Sequence, residues 1–364
     1  MTRDASHIFE QGLGRGPANF RPLTPLDFLS WAGTTFRDRT GVVYGAERRS
    51  WGETLARCRR LASALAKLGV GRGDTVAIMC PNTPPMLEAH YGVPMLGAVL
   101  NALNTRLDAA AIAFILQHGE AKVLLTDTEW APVIRPALEQ AGRPITVIDI
   151  VDPAGPGERL GLMDYEALLK EGDPAFAWEG PQDEWDAIAL CYTSGTTGNP
   201  KGVVYHHRGA FLNALGNALV FRLSPDSVYL WTLPMFHCNG WTYTWGVTAV
   251  GGTHVCLRKV DPAVVFPLIR QERVTHLCGA PIVMSIILQA DPKDRRPIER
   301  PVTFLTAAAP PPEAVLGAMK EAGFNVTHLY GLTETYGPAV VNDWHEEWDA
   351  LDRTAQATKK ARQG

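Results

Sequence analysis

The chain has 364 residues, room for roughly two domains at about 150 residues each. Hydrophobic residues make up 46% and charged residues 20%, which excludes a disordered chain, since such a chain lacks the apolar surface to offset backbone ordering. The net charge of −4 leaves no basic excess to neutralise phosphodiesters and argues against nucleic acid as a partner.

The first 22 residues hold Gly and Pro with little pattern and read as a surface arm. Its Gly12-Leu13-Gly14-Arg15-Gly16 run follows no strand and lacks the third spaced glycine of a dinucleotide loop. From Trp51, apolar residues at 55, 58, 61, 62, 65 and 68 give a helical period that Gly69 stops. Strand-like and helix-like segments then alternate: a strand at 75–80, a helix at 84–100, a helix at 108–118 capped by Asp108, a strand at 122–126, a helix at 129–140 and a strand at 145–150. Residues 151–183 are looser. A strand at 187–192, a polar loop and a helix at 208–220 follow, then strands at 228–233, 253–257, 275–278, 303–305 and 325–328. Strands separated by helices imply an α/β fold with mostly parallel sheets covered by helices. The expected division is an arm (1–22), a first α/β subdomain (23–180), a second with the polar loop (181–342), and a polar tail (343–364) with no packed helix to close it, after which a longer protein is expected to continue.

The six cysteines form no CxxC pair and lie mostly in apolar runs, so no zinc or dithiol site is written, and a reduced, cytoplasmic protein is the expectation. The first residues lack the apolar core of a signal peptide, and no 18-residue apolar run exists to span a membrane.

The sharpest feature is Tyr192-Thr193-Ser194-Gly195-Thr196-Thr197-Gly198-Asn199-Pro200-Lys201-Gly202. Its glycines let backbone N–H groups turn toward an anion, four hydroxyls add neutral donors, and Lys201 adds charge. The GxxxxGK[ST] phosphate loop does not fit, because Gly195 and Gly198 are too close and Gly202 follows the lysine. The alternative is a flexible polar turn. A second motif, Tyr330-Gly331-Leu332-Thr333-Glu334, follows an apparent strand and so should lie at a carboxyl edge of the sheet. Glu334 suits Mg²⁺, Thr333 suits phosphate and Tyr330 offers a face to a base; alone, the same residues could simply cap a helix.

Together these motifs strongly resemble those of the AMP-forming adenylating superfamily, which includes acyl-CoA synthetases, amino-acid adenylation domains and luciferase. Pro234-Met235-Phe236-His237-Cys238-Asn239-Gly240-Trp241, Cys278-Gly279-Ala280-Pro281, Thr306-Ala307-Ala308-Ala309-Pro310-Pro311-Pro312 and Asn101-Ala102-Leu103-Asn104-Thr105-Arg106-Leu107 agree. The likeness covers about residues 23–345 and is nearest in look to short- and medium-chain acyl-activating enzymes, including methylmercaptopropionate-CoA ligases. It implies the large N-terminal domain of the adenylate-forming fold, with mixed, mostly parallel sheets sandwiched by helices, and the small C-terminal cap domain absent from this chain.

The resemblance implies ATP, Mg²⁺ and CoA, and a carboxylic acid that becomes an acyl-adenylate and then a thioester. By it, Thr193, Ser194, Gly195, Thr196, Thr197, Gly198 and Lys201 would clasp the β- and γ-phosphates. Thr196 and Glu334 would hold Mg²⁺, and Thr333 would reach the α-phosphate. Tyr330 would stack on adenine beside Gly331, with Ala308, Ala309 and Pro310 lining the base. His237 would orient the carboxylate or α-phosphate as a hydrogen-bond donor, against the bland alternative of a core histidine. Trp241, four residues on, would share a helix face with His237 and wall the acyl pocket, or simply pack in the core. Gly279 and Ala280 would leave room for the acyl chain. His206 and His207 read as structural. His237 replaces the aspartate with which amino-acid adenylation domains pair an ammonium, so a simple carboxylic acid fits better, either short- to medium-chain or a small aryl or thio-substituted acid. The second function class is a nucleotide- and acid-binding module without ligase turnover. A homodimer is the base-rate expectation.

Overall fold

A computed structural model describes residues 7–9, 11–193, 199–295, 298–309 and 311–364. Among them the strands run in chain order as β1 (Thr40–Tyr44), β2 (Glu47–Ser50), β3 (Thr75–Met79), β4 (Val99–Ala102), β5 (Ala121–Asp127), β6 (Thr146–Ile150), β7 (Met163–Asp164) and β8 (Ala187–Thr193). They continue as β9 (Lys201–His206), β10 (Val228–Leu230), β11 (Thr253–Val255), β12 (His276–Gly279), β13 (Val302–Thr306), β14 (Phe324–Leu332) and β15 (Gly337–Val341). Two sheets result. One has the order β15-β14-β13-β12-β10-β11-β1-β2, the other β7-β6-β5-β3-β4-β8-β9. Pairing is parallel except at β1–β2, β8–β9 and β14–β15. The sheets do not divide the chain at residue 180: β1 and β2 join the later strands, and β8 and β9 join the earlier ones.

Side-chain alternation assigns each sheet face to a layer. On β3, Val76 and Ile78 enter a core shared with the other sheet, whereas Ala77 and Met79 meet the outer helices Ala109–His118 and Ala131–Gln140. On β12 and β13, Cys278 and Leu305 point to the shared core, and Leu277 and Phe304 to the outer helices Pro262–Gln271 and Glu313–Glu321. The shared core holds the fully buried Trp51, Trp231 and Trp245. Helix Trp51–Lys67 runs through this central layer. Ser50 and Glu53 cap it reciprocally, and Gly69, at φ +80°, lies just past its end as expected. Arg258, just past β11, binds Asp127 at the end of β5 and Asp152 just past β6, each at 2.8 Å, and buried Glu88 takes both Arg49 and Arg57.

Several elements differ from the sequence reading. The expected helix at 84–100 ends at Gly92: Pro94 cannot continue the hydrogen-bond ladder, a 3-10 turn follows, and Gly97 at φ +69° reverses the chain into β4. The polar loop after 192 contains β9, whose Tyr205 faces inward while Val204 faces out. The hairpin β1–β2 lay among residues read without a strand. The tail is not unpacked. Helix Arg353–Lys360 caps its N-terminus with Asp352, and its carboxyl end is bonded by Asn342 Nδ2 to the Lys359 and Arg362 carbonyls and by His328 Nδ1 to Ala361 O. Its polar sequence hid the packing because the contacts run through backbone carbonyls. Among the described residues no helix is long and apolar enough to cross a membrane.

Candidate active site

Each motif sits in an antiparallel hairpin at one edge of its sheet, not in the strand-to-helix turn that alternation suggests. Thr193 and Lys201 are register partners at the end of the β8–β9 ladder. Ser194, Gly195, Thr196, Thr197 and Gly198 lie outside the described residues, as does Pro310. In the second motif the strand does not stop at 328. Tyr330 pairs with Val340, Gly331 with Pro338 and Leu332 with Gly337. A Cβ on Gly331 would lie 1.8 Å from the Gly337 carbonyl oxygen, so close approach of the two strands demands this glycine. Thr333 and Glu334 occupy the short 3-10 turn after β14, which Thr335 caps by accepting from Leu332 N–H at 2.9 Å.

The two hairpins meet. The Tyr205 hydroxyl donates to the Thr333 carbonyl at 2.6 Å, and Thr333 Oγ1 lies 3.6 Å from Cys238 Sγ. Thr193, Pro200, Phe236, His237, Cys238 and Thr333 line one cleft, closed on its far side by β4 and the segment after it, from Asn101 to Leu107. Its empty space is about 550 Å³, part of it open to solvent. Burial pushes the Cys238 thiol up, and the Glu334 carboxylate adds to that push, which puts Glu334 beside the same cleft. Glu334 and His237 are exposed, and so is Lys201, the neighbour of the cleft-lining Pro200. Although its ring reaches solvent, His237 is crowded by protein, and desolvation holds its imidazole below the ordinary value. It is therefore neutral near pH 7 and donates one N–H.

The segment carrying His237 is irregular. Asn82, just past β3, holds it: Nδ2 donates to the Trp231 and Leu233 carbonyls at 2.9 Å each, and Oδ1 accepts from Met235 N–H at 2.7 Å. One side chain thus replaces a neighbouring strand. Residues 238–242 then wind in the left-handed region, with φ of 45°, 45°, 62°, 53° and 62°. Trp241 consequently does not share a right-handed helix face with His237. It is buried, beneath Gly337, and the cleft lining ends at Cys238. Gly279 also departs from expectation: a Cβ there would meet Val283 at 2.8 Å, so the space is filled by helix Pro281–Ile287 rather than left for a ligand, and neither Gly279 nor Ala280 lines the cleft. Register places Gly279, Thr306 and His328 side by side at one sheet edge. Ala308 and Ala309, exposed just beyond Thr306, therefore lie near half-exposed Tyr330. His206 accepts from Gly209 N–H as a helix cap, and buried His207 bonds the Thr24 hydroxyl, both structural roles.

Asn82, Tyr205 and Tyr336 went unnoticed in the sequence. Asn82 had one usable signal, a polar residue directly after a buried strand at a sheet edge. Tyr336 lay two residues beyond Glu334.

Residues 29–360 match the AMP-binding enzyme family. The chain belongs to that family. Among its relatives, the peroxisomal acetate/butyrate–CoA ligase AAE7 of Arabidopsis thaliana is 47% identical over 96% of this chain and 64% of its own length. The peroxisomal trans-cinnamate:CoA ligase of Petunia hybrida is 46% identical over 95% and 64%. This AMP-binding chain thus spans just under two thirds of the curated relatives it matches. In fold it resembles the N-terminal domain of FACL13 from Mycobacterium tuberculosis, with a TM-score of 0.77, 28% identity, and 88% of this chain and 78% of that one covered. The anthranilate CoA ligase AuaEII, solved with anthranoyl-AMP, superposes with a TM-score of 0.80 at 21% identity, over 90% of this chain and 64% of that one. The relatives correct the expected cytoplasmic location, because several are peroxisomal. The six buried, free thiols speak for a reducing compartment without saying which, and a peroxisomal address is a receptor-read signal that composition does not express.

Proposed function

We propose that this chain is the ATP- and acid-binding part of an AMP-forming acyl-CoA ligase. The acid's carboxylate oxygen attacks the α-phosphorus of ATP and pyrophosphate leaves; the CoA sulfur, giving up its proton, then attacks the acyl carbon and AMP leaves. The first step brings two anions together, so fixed donors and positive charge must offset their repulsion. The observation that supports the reading is the meeting of the two hairpins, where the Tyr205 hydroxyl bonds the Thr333 carbonyl beside a cleft lined by Thr193, Pro200, His237 and Thr333.

In this reading Thr193, Ser194, Gly195, Thr196, Thr197, Gly198 and Lys201 hold the β- and γ-phosphates, and Thr333 reaches the α-phosphate. Neutral His237 donates to the carboxylate or the α-phosphoryl oxygen. Tyr330 stacks on adenine with Gly331, Ala308 and Ala309 around it. Mg²⁺ fits the donor set, since an exposed carboxylate beside a hydroxyl is the hard-oxygen ligation it shares with phosphates. Glu334 would hold it, and when bound it neutralises phosphate charge. A short- to medium-chain or small aryl acid is the substrate class, supported by relatives named for acetate, butyrate and cinnamate. The same relatives support a peroxisomal location.

The test is carboxylate-dependent exchange of labelled pyrophosphate into ATP, with aliphatic acids of graded length and aryl acids, on this chain and on a version extended to the relatives' length. Exchange in the extended version supports the reading. ATP binding without exchange in either version favours a binding module instead, and loss of neither binding nor exchange in Lys201→Ala and Glu334→Ala refutes the site.

A further inference from the structure

Glu334 stands on a three-residue turn, too short to aim a side chain by itself. What fixes that turn is a reciprocal contact with β9. The Thr333 carbonyl accepts from the Tyr205 hydroxyl at 2.6 Å and from Tyr336 N–H at 3.1 Å. In return, the Tyr336 hydroxyl accepts from His206 N–H at 2.9 Å. The two rings stack at 4.1 Å between centroids. Tyr336 reaches this position only by adopting φ 63°, ψ 15°, a conformation that a bulky residue rarely takes. Its ring also needs a glycine opposite, because a Cβ on Gly209 would lie 2.3 Å from it. Strain held in place by surrounding contacts points to a function that needs the geometry. Lys201 and Tyr205 are four residues apart on β9 and so lie on the same face of the strand.

We propose that Tyr205 and Tyr336 are positioning residues that fix the separation of Lys201 and Glu334, so that the two charges flank one magnesium-nucleotide. The proposal rests on the metal and phosphate roles assigned above. Neither tyrosine needs to touch the nucleotide. Each side chain bonds the other hairpin's backbone, so the two hairpins move as one body, and the carboxylate is held ready before ATP arrives.

The experiment is titration calorimetry of ATP into the parent chain and into Tyr205→Phe, Tyr336→Phe, Glu334→Gln and the Tyr205→Phe/Glu334→Gln double variant. Each titration is run with magnesium chloride and with a chelator. The phenylalanines keep the stack and delete one hydrogen bond each. Either one should weaken binding of ATP with magnesium roughly threefold to tenfold, while ATP in chelator binds as in the parent. Glu334→Gln should abolish the magnesium effect, and adding Tyr205→Phe should then change nothing further. Equal weakening with and without magnesium, or the same loss repeated in the Glu334→Gln background, would overturn the proposal by making the tyrosines merely structural. Parent-like binding by both phenylalanine variants, with Glu334→Gln still impaired, would overturn the positioning role alone. Parent-like magnesium dependence in Glu334→Gln would overturn the metal assignment, and the proposal with it.

Discussion

Asn82→Ala tests whether one side chain holds the cleft in shape. Asn82 makes three hydrogen bonds of 2.7–2.9 Å to the backbone of Trp231, Leu233 and Met235, all of them buried residues. A net bond is worth about 1 kcal/mol, and a buried backbone group left without a partner costs about 1–3 kcal/mol. Water can replace some partners, since Asn82 itself is only half-buried. The expected loss is therefore ~3 kcal/mol in urea unfolding. Asn82→Asp should be no better, although it is nearly isosteric, because an ionised carboxylate would face the Trp231 and Leu233 carbonyl oxygens. Function should suffer more than stability. A non-hydrolysable acyl-sulfamoyl-adenosine should bind at least tenfold more weakly at a temperature where the variant is fully folded, because Phe236 and His237 follow directly on the released segment. A loss below about 1 kcal/mol with unchanged analogue binding, or an aspartate variant as stable as the parent, would refute the clamp.

Gly331→Ala should spread the β14–β15 hairpin, since its Cβ would collide with the Gly337 carbonyl; weakened ATP binding with nearly unchanged far-UV circular dichroism is the expected result. Glu88→Gln should cost about 1–3 kcal/mol in urea unfolding, because the buried carboxylate that serves Arg49, Arg57 and the Tyr165 hydroxyl becomes neutral, leaving Arg49 with only Glu47 and Arg57 with only Glu166. Burial holds His90, His207 and His276 at about 4 and His254 at about 3. Above pH 6.5 folded and unfolded chains both keep these rings neutral; below it only the unfolded chain takes up protons. Stability should thus fall as pH drops from 6.5 toward 4, by ~1.4 kcal/mol per pH unit for each ring, seen as a steadily falling Tm. A flat Tm across that range would contradict the burial of these rings.

Much of the architecture is written in local pattern. The period from Leu55 to Leu68, the Asp108 cap and the apolar strands β3, β5 and β6 needed only short-range physics, and the structure reproduces them, whereas β4 lies inside the expected helix at 84–100. Misses came where distant partners decide. β1, β2 and β9 are strands because of the sheet edges they complete, and Arg48, Arg49 or Lys201 gave no apolar alternation to announce them. Lys201 and Glu334, the charged residues of the proposed site, stand out in the sequence because phosphate chemistry restricts the residue types that serve it. Supporting residues were not. Asn82 and Tyr205 act on backbone atoms more than a hundred positions away, and nothing in their own neighbourhoods encodes that contact. Trp241 and Gly279 show the reverse case: the motif suggests a pocket wall and open space, whereas the structure packs Trp241 in the core and Val283 against Gly279.

The left-handed turn at 238–242 has a consequence for how the molecule comes apart. Three of its five residues, Cys238, Trp241 and Thr242, carry side chains that disfavour this winding. Its restraints come from elsewhere: Cys191 on β8 bonds Asn239, while Asn213 and Asn217 of helix His207–Val220 bond Thr242. Such a segment has no local reason to persist once those neighbours shift. Its amides should exchange with deuterium well ahead of those in β10 and β12, making the rim of the cleft the earliest casualty of gentle warming and leaving a chain that still reads as folded around a collapsed opening.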